Sequence, residues 1–421
     1  MLRNILQNVR VLDPVSRQEQ IAELLIVNDV IETIATKINE IDEDTTIING
    51  QDLIAGPGLV DLYSHSGEPG NESRETLLTI AKAAKAGGYT RVTILPDVTP
   101  PIDNLSVLES LQQKTAKLAE LTTLQFWGGL TLGHQGQQMS EIRELTPKVV
   151  GFTDGYPVDN LNLLRRLLEY LQPLGKPIAL VPSHSKLKGN GVMREGIASI
   201  RLGLPGNPAL SEAIAIAAIL ELVATISTPV HLMRISTARG VELIKQAKEK
   251  GLPITASTTW MHLLYDSEAV STYEPNLRLE PPLGNPEDVQ ALREGVKTGI
   301  IDAIAVDHSP YTYEEKTLAF AEAPPGVIGL ELVLPLLWSR FVVNDDWSPL
   351  QLWQALSTNP LTCLGEQPIS CFTQFQPEMI LFAPQQTWTV NRSNLHSLSS
   401  NTTWWGKTIT GRVLDLSNLT E

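Results

Sequence analysis

The sequence predicts an α/β protein: a TIM-type (β/α)8 barrel with a small β-sandwich domain built from both ends of the chain. Three observations support this. After residue 57, apolar strand-like runs alternate with helical patterns, as in parallel βα units. Eight such runs can be counted, and both chain ends carry short strand-like segments instead. The length of 421 residues suits one barrel with a companion domain. We expect the barrel over residues 56–367 and the small domain over 1–55 and 368–421.

The individual elements follow from local patterns. Strands of the first segment are predicted at 9–12, 22–27 and 46–48, separated by turn residues. Barrel strands are predicted at 58–65, 90–96, 124–132, 148–154, 177–184, 229–235, 253–258 and 302–307. Helical spacing predicts helices at 74–86, 239–250 and 286–298, each ending at glycine. Strands return at 379–382, 388–390, 408–410 and 412–414. The number of units alone leaves a doubly wound open sheet as an alternative.

Composition and charge narrow the function classes. The net charge of −15 disfavours nucleic acid or an anionic membrane as a partner, and its simplest interpretation is solubility. With Cys363 and Cys371 as the only cysteines, no disulfide framework is implied, which suits the reducing cytoplasm. The N-terminus lacks a signal-peptide pattern. The apolar stretch 213–226, interrupted by Glu221, is predicted to be a buried helix too short to span a bilayer.

The carboxyl ends of the predicted strands concentrate polar side chains. In a barrel of this kind the working residues lie at these ends. They are His65, Asp97, His134, Asp154, His184, Arg234, Ser257 and Asp307. Each of them alone is more simply a surface or hydrogen-bonded residue. Histidines and carboxylates converging on one barrel mouth are typical ligands of zinc or a harder metal, so together they indicate a working or vestigial site.

A set of ordered motifs carries a family resemblance. The run from residue 56 to 70, Gly-Pro-Gly-Leu-Val-Asp-Leu-Tyr-Ser-His-Ser-Gly-Glu-Pro-Gly, resembles the opening motif of dihydroorotases. Further matches follow in the family's order at 86–90, 95–100, 152–155, 235–237, 281–283, 306–310, 315–316 and 323–331. The resemblance to the long bacterial dihydroorotases runs from about residue 5 to 415. It implies an amidohydrolase-like barrel in which one or two zinc ions activate water to open or close the dihydroorotate ring.

The resemblance implies a metal site that this chain keeps only in part. The retained positions are His65, Asp154, His184 and Asp307, and Asp307 is also the family's proton shuttle. Tyr63 and Arg234 replace two histidine ligands. An arginine has no lone pair to donate, and a phenol is neutral near pH 7 unless a metal lowers its pKa. His231 is not expected to substitute, because three residues along a strand place it opposite Arg234. We expect zinc to be weakly bound or absent, and no nucleotide cofactor.

The resemblance also implies a substrate pocket whose polar contacts are all replaced. Gly67 stands for the arginine that grips the substrate carboxylate, Asp97 and Glu280 for two asparagines, and Tyr311 for a histidine. Like charges at about 4 Å repel by roughly 1 kcal/mol in water and about 4 kcal/mol at an intermediate dielectric, so the two new acids should disfavour an anionic substrate. The segment 311–325 matches the family's mobile loop over the site.

Three hypotheses for function follow. In the first, the chain is a non-catalytic dihydroorotase homologue of pyrimidine biosynthesis, in a homo- or hetero-oligomer that acts as a scaffold or regulatory partner of aspartate transcarbamoylase. In the second, it is an active amidohydrolase, a dihydroorotase or another cyclic-amide hydrolase, that uses one divergent zinc site and prefers a neutral or cationic substrate. In the third, the vacated mouth is a ligand sensor.

Overall fold

A computed structural model describes residues 3–39, 45–373 and 377–418. Its strands are β1 (Arg3–Asp13), β2 (Gln18–Val27), β3 (Val30–Ala35), β4 (Thr46–Asn49), β5 (Ile54–Pro57), β6 (Leu59–Ser64), β7 (Tyr89–Ile94), β8 (Thr123–Phe126), β9 (Ile178–Leu180), β10 (Met193–Arg194), β11 (Gly206–Asn207), β12 (Val230–Leu232), β13 (Ile254–Thr259), β14 (Ala303–Ala305), β15 (Met379–Thr389) and β16 (Thr408–Leu414).

The α-helices are α1 (Leu77–Ala86), α2 (Leu105–Thr115), α3 (Ile142–Leu145), α4 (Leu161–Leu171), α5 (Ser185–Lys188), α6 (Ile197–Leu202), α7 (Ala209–Ile226), α8 (Ala238–Glu249), α9 (Trp260–Leu264), α10 (Pro286–Thr298), α11 (Tyr313–Lys316), α12 (Val333–Leu337), α13 (Pro349–Trp353) and α14 (Asn359–Cys363). Short 3-10 turns lie at Ala116–Leu118, Leu132–His134, Gln172–Leu174, Ser267–Thr272, Pro275–Leu277 and Leu416–Asn418, and π-helical turns at Trp338–Val342 and Gln354–Thr358.

Backbone contacts connect the central parallel strands in a closed order. One sheet runs β6-β7-β8 and another β9-β12-β13-β14. Phe152 forms parallel bridges to Gly128 and to Ile178, which join the two sheets on one side. On the other side, the Asp307 amide donates to the Tyr63 carbonyl (3.2 Å) and the His65 amide to the His308 carbonyl (2.8 Å). The carboxyl ends of all these strands therefore meet at one mouth.

Two buried layers hold this arrangement. The inner one fills the space between the strands and includes Leu62, Trp127, Met233, Ala305 and Leu364. The outer layer lies between the strands and the surrounding helices. Successive side chains of a strand point to opposite faces, so they contribute alternately to the inner and the outer layer. The indole N–H of Trp127 donates to the Leu62 carbonyl (2.8 Å). This large side chain can therefore be buried in the interior, because its one polar group has a hydrogen-bond partner.

The two chain ends form one mixed sheet. Its order is β16-β15-β5-β1-β2-β3, and β4 pairs with β1. The antiparallel β5–β15 pair joins the N-terminal to the C-terminal segment, so the predicted β-sandwich is a single seven-stranded sheet in the described residues. The predicted boundary after residue 55 falls inside β5. Of the predicted small-domain segments, residues 1–2, 40–44, 374–376 and 419–421 lie outside the described residues.

Most predicted elements are confirmed, with instructive differences. Seven predicted central strands have counterparts, but the one at 148–154 is reduced to the bridge at Phe152. The helix predicted from residue 74 begins at Leu77, because the Thr76 side chain caps it. The helices at 239–250 and 286–298 are found as α8 and α10, and the left-handed Gly299 ends α10 as expected.

Helix α7 corrects a further prediction. It begins at Ala209, and the carboxylate of Glu212 in its first turn accepts hydrogen bonds from the Ser236 and Thr237 amides. The prediction of a buried helix too short to span a bilayer is wrong, because its 18 residues are long and apolar enough by length and composition alone and only 28% of it is buried. The same length and composition also occur in core helices of soluble proteins.

Candidate functional site

A cavity of about 410 Å³ lies at the carboxyl ends of the central strands. Residues that follow β6, β7, the bridge at Phe152, β9, β12, β13 and β14 line it, as expected for this architecture. The charged residues and tyrosines around it are His65, Arg74, Asp97, Tyr156, Lys188, Arg234, Arg278, Glu280, Asp307 and Tyr311. The sequence predicted six of them as site positions. Arg74, Tyr156, Lys188 and Arg278 were missed.

The guanidinium of Arg234 is the centre of the site. Its Nε and Nη2 donate to the two carboxylate oxygens of Asp307 at 2.9 and 2.7 Å, and Nη1 donates to the Gly155 carbonyl at 2.9 Å. Nη2 also lies 3.1 Å from His65 Nε2. Burial would raise the pKa of Asp307, but the Arg234 charge outweighs it and holds that pKa below its usual value. A bidentate, buried ion pair therefore fills the centre of the mouth.

The backbone at this ion pair is strained. Arg234 and Asp307 have φ values of 54° and 52°, in the left-handed region that non-glycine residues seldom adopt. Arg234 lies beyond the end of β12, so the alternation of side chains along the strand no longer applies to it. Such strain is retained only where the surroundings enforce it, and it concentrates at functional sites.

His65 and Asp97 form a second charged pair beside the first. His65 Nδ1 lies 2.6 Å from Asp97 Oδ2, and His65 Nε2 lies 3.6 Å from Asp307 Oδ1. Burial alone would lower the pKa of His65, but the carboxylates of Asp97 and Asp307 outweigh it and raise the pKa to about 9. The Tyr156 hydroxyl also donates to Asp97 (3.3 Å).

Tyr63 and His231 lie beneath the ion pair in one hydrogen-bond chain. The Tyr63 hydroxyl accepts from the Arg234 amide (3.1 Å) and contacts Ser257 Oγ (2.9 Å), which contacts His231 Nε2 (2.8 Å). Burial raises the pKa of Tyr63, so the phenol stays neutral, and burial lowers the pKa of His231 to about 3. The expectation that His231 and Arg234 face opposite sides is not met, because Arg234 has left the strand. Both ring nitrogens of His231 are nevertheless engaged, the second by Thr255 (2.9 Å).

Two of the predicted ligand positions lie apart from this centre. The carboxylate of Asp154 accepts from the Thr131 amide (2.8 Å) and hydroxyl (2.6 Å), which orients it towards a neighbouring loop. His184 precedes α5 and accepts from the Leu187 amide (3.4 Å) at its N-terminus. In the part of the chain that the structure describes, no three His, Cys, Asp or Glu side chains stand together as a metal-ligand set. Of the four predicted ligand positions, His65 and Asp307 therefore lie together, while Asp154 and His184 are engaged elsewhere.

Gly67, which the resemblance matches to a substrate-gripping arginine, is closed in by the backbone. A side-chain carbon on Gly67 would come within 2.3 Å of the Asn71 carbonyl and 2.5 Å of the Glu75 carbonyl. Real side chains do not tolerate such distances, so no arginine can be placed here without moving the chain.

The two acids of the mouth do not make it acidic, which corrects the prediction from sequence. Asp97 is paired with His65, and Glu280 Oε2 lies 2.7 Å from Lys188 Nζ. Lys188 belongs to α5, so only the fold reveals that it faces Glu280. Arg278 could have been noticed: it lies two residues before Glu280, between buried leucines, and i, i+2 spacing in an extended segment places two side chains on one side.

The segment 311–325 is fastened over the cavity. Arg74 Nε donates to both Glu315 oxygens at 3.0 Å, and the Arg74 guanidinium lies 4.8 Å from the centre of the Tyr311 ring. Lys316 Nζ donates to the Pro324 carbonyl (2.8 Å). A loop that the resemblance describes as mobile is held here by an ion pair and an aromatic stack.

The remaining histidines near the mouth have structural partners. His262 contacts Thr259 Oγ1 (2.7 Å) and the Pro281 carbonyl (3.0 Å), and burial lowers its pKa to about 4. His308 accepts from the Gly329 amide (3.1 Å) and lies 3.3 Å from Glu75. Both are buried, hydrogen-bonded residues.

Comparison of the sequence with known proteins gives a consistent result. Residues 52–238 match the family model described as "Dihydro-orotase-like". A probable dihydroorotase-like protein of Synechocystis sp. is 46% identical over 96% of this chain and 97% of its own length. A dihydroorotase of Syntrophus aciditrophicus is 33% identical over 98% of this chain and 97% of its own length.

Solved structures with the same fold include hydantoinases. The L-hydantoinase of Arthrobacter aurescens superposes with a TM-score of 0.83 at 20% identity, covering 99% of this chain and 96% of that one. The D-hydantoinase of a Thermus species has a TM-score of 0.77 at 20% identity, covering 97% and 93%. At this identity the likeness establishes the fold.

Proposed function

Because this chain belongs to the dihydroorotase-like family, we propose that it is a non-catalytic member in which an arginine has taken the place of the metal. We further propose that it acts in pyrimidine biosynthesis as a cytoplasmic scaffold or regulatory partner of aspartate transcarbamoylase. The closed strand order is what a (β/α)8 barrel of the amidohydrolase type requires, and we infer that barrel as the scaffold.

One observation carries the non-catalytic proposal: the guanidinium of Arg234 contacts both Asp307 and His65, two retained ligand positions. A permanently charged cation satisfies Asp307 and blocks the approach to His65, but it cannot lower the pKa of a bound water or polarise a carbonyl as a Lewis acid. Asp307 is also held ionised by this pair at neutral pH. Zinc is therefore proposed to bind weakly or not at all.

A hydrolase with a single divergent zinc is the competing proposal. It would require Arg234 to leave its three partners, and Asp154 to leave both Thr131 donors. Breaking a buried ion pair costs about 3–5 kcal/mol. The free energy of zinc binding to the freed side chains would have to offset this cost. The blocked position at Gly67 would still leave the substrate carboxylate without its arginine.

The catalytic test is an assay of untagged protein for dihydroorotate hydrolysis and carbamoyl aspartate cyclisation, with and without added zinc. We expect no turnover in either direction. An Asp307→Asn variant, prepared identically, controls for contaminating enzyme, because residual activity from another protein would survive the substitution. Zinc-dependent turnover that the substitution abolishes would overturn the proposal.

Exposed apolar side chains support the partner proposal. Ile197 and Ile200 of α6 are 83% and 82% exposed, and Leu210 and Ile214 of α7 are 55% and 40% exposed. A helix that is apolar on all sides is normally buried, so a surface of this kind is expected to be covered by another protein.

Mass photometry of the chain mixed with aspartate transcarbamoylase of the same organism tests the partner proposal. We expect a species heavier than either component. A mixture in which both proteins keep their separate masses at micromolar concentration would contradict it.

A further inference from the structure

One wall of the mouth carries more positive than negative charge. Lys188 Nζ lies 2.7 Å from Glu280 Oε2, and Arg278 Nη1 lies 3.9 Å from the same oxygen. Two cations thus share one carboxylate, and the shorter contact belongs to Lys188. The group formed by Lys188, Arg278 and Glu280, here called the basic wall, has one uncompensated positive charge.

Arg278 is the member of the basic wall without a full set of partners. Its side chain is only 10% exposed. Nη1 donates to the Leu279 carbonyl (2.7 Å), while Nε has no hydrogen-bond partner and Nη2 makes none with any described residue. A buried guanidinium remains charged, and a buried charge is costly unless it is paired. The site is therefore incomplete without an acceptor.

The other acids of the mouth are already engaged. Asp307 is bound by Arg234 in a bidentate pair, Asp97 by His65, and Glu315 by Arg74. Redirecting any of them to Arg278 would leave another buried or half-buried cation unpaired. An acceptor for Arg278 therefore has to come from the cavity, as solvent or as a bound ligand.

The space beside the basic wall suits a small organic molecule. The cavity of about 410 Å³ falls within the range of small-molecule sites. Apolar side chains of Val181, Trp260, Met261, Leu279 and Val327 line it together with the charged groups. A ligand with one charged end and a compact apolar body matches this lining.

We propose that the cavity binds a small organic monocarboxylate, whose carboxylate pairs with Arg278 and Lys188. The inference rests on the proposed function, since Arg234 rather than a metal occupies the floor. The basic wall comes from the segments after β9 and β13, whereas Gly67 and Asp97 follow β6 and β7 on the other side of the closed strand order. The carboxylate site is therefore distinct from the one that Gly67 closes.

Isothermal titration calorimetry with four small molecules tests whether the basic wall has one uncompensated positive charge. Benzoate and acetate carry one negative charge, benzamide is the neutral isostere of benzoate, and phthalate carries two charges. We expect benzoate to bind one per chain, about tenfold or more tighter than benzamide, because hydrogen bonds to a charged group are the stronger ones. Phthalate should bind no tighter than benzoate, since a second negative charge finds no free cation.

Charge-removing variants locate the site. Arg278→Gln and Lys188→Gln should each weaken benzoate binding about tenfold. Lys186→Gln, which removes the same charge two residues from Lys188 and outside the cavity lining, should leave binding unchanged. If one of these two variants fails to fold, the other still tests the site.

Several results would overturn the proposal: no binding of benzoate or acetate at concentrations on the order of 10 mM, equal affinity for benzamide, tighter binding of phthalate, or unchanged binding in both variants. Each leaves the zinc and turnover measurements unaffected, so failure of this inference is distinguishable from failure of the proposed function.

Discussion

At the scale of single residues, one substitution changes the chemistry of the mouth. A histidine at position 234 would offer a lone pair, whereas Arg234 offers only donors, which pair with both carboxylate oxygens of Asp307. His65 lies 3.1 Å from the same guanidinium and is itself paired with Asp97. We propose that Asp307 pairs with a fixed cation at a position where the family binds its metal. Retained family residues are therefore no proof of a retained metal.

The Arg234–Asp307 pair should be needed for stability at neutral pH. Replacing Arg234 by methionine leaves Asp307 charged and buried, so Arg234→Met should lower the unfolding free energy by about 3–5 kcal/mol at pH 7. Because the pKa of Asp307 is lowered in the folded protein, the pair's contribution is present above the unfolded pKa of about 4 and is lost as pH falls further. Denaturant unfolding at several pH values should show the deficit shrinking below about pH 4.

Arg239→Met is the matched control for this experiment. Arg239 pairs with Glu242 on the surface of α8, with both side chains more than half exposed. Its removal should change stability by less than about 0.5 kcal/mol. A deficit for Arg234→Met no larger than that of Arg239→Met would contradict a structural ion pair at the mouth.

His65 should carry a proton under physiological conditions. With its pKa raised to about 9, the folded state gains stability that is fully present below the unfolded pKa of about 6.5 and is lost as pH rises through about 9. Nitrogen-15 NMR of labelled histidine should show a ring that titrates near pH 9 in the wild type and lower in Asp97→Asn. A wild-type ring that loses its proton below pH 7 would instead make Nε2 an acceptor for Arg234.

At this scale the sequence predicted several residues of the mouth but not their pairing. Arg234, Asp307 and Gly67 line the cavity as predicted, whereas their correspondence to ligands and contacts of the family stays a prediction. The sequence could not predict that Asp154 turns to Thr131, because that orientation depends on a loop of another strand. Nor could it predict that Lys188 and His65 neutralise the two acids, since these pairs join segments 92 and 32 residues apart.

At the scale of elements, the segment 311–325 is the part whose behaviour most depends on a few contacts. Thr312 caps α11, Glu315 pairs with Arg74, and the Tyr311 ring lies between Arg74 and Lys316. These contacts hold the segment at the cavity, which Tyr311 and Pro325 line.

Removing the charge of Glu315 should loosen the loop. In Glu315→Gln the ion pair with Arg74 is lost, so amides of 311–325 should exchange hydrogen faster, by about two- to fivefold for a pair worth up to about 1 kcal/mol. Hydrogen–deuterium exchange with mass spectrometry measures this. Glu314→Gln is the control, because Glu314 is exposed and forms no ion pair with any described residue. Equal exchange in both variants would rule out the fastening.

Elements with strong periodicity were predicted well, and those defined by tertiary contacts were not. Helix α10 matches its predicted bounds, because Pro286 and Gly299 mark its ends in the sequence itself. The strand expected at 148–154 is reduced to a bridge at Phe152, since its pairing depends on Gly128 and Pro177 far along the chain. β5 was missed because it is short and pairs with the remote β15, whereas β3 forms a hairpin with the neighbouring β2 and was overlooked in the sequence.

At the scale of the whole molecule, the outer face of α7 should mediate association. The exposed Leu210 and Ile214 lie one helical turn apart on that face. In a mixture with aspartate transcarbamoylase, the double variant Leu210→Lys/Ile214→Lys should lose the heavier species that mass photometry detects for the wild type, without a lower melting temperature. Val343→Lys, at an exposed apolar residue outside α7, is the control. An equal amount of the heavier species with wild type and double variant would exclude this face.

The central claim is that a guanidinium stands where the family places its metal, and zinc stoichiometry tests it most directly. Untagged protein would be equilibrated with micromolar zinc, dialysed, and its metal content measured by plasma mass spectrometry. The structure predicts far less than one zinc per chain, unchanged by Asp307→Asn. One tightly held zinc per chain, released when Asp307 is replaced, would contradict the account.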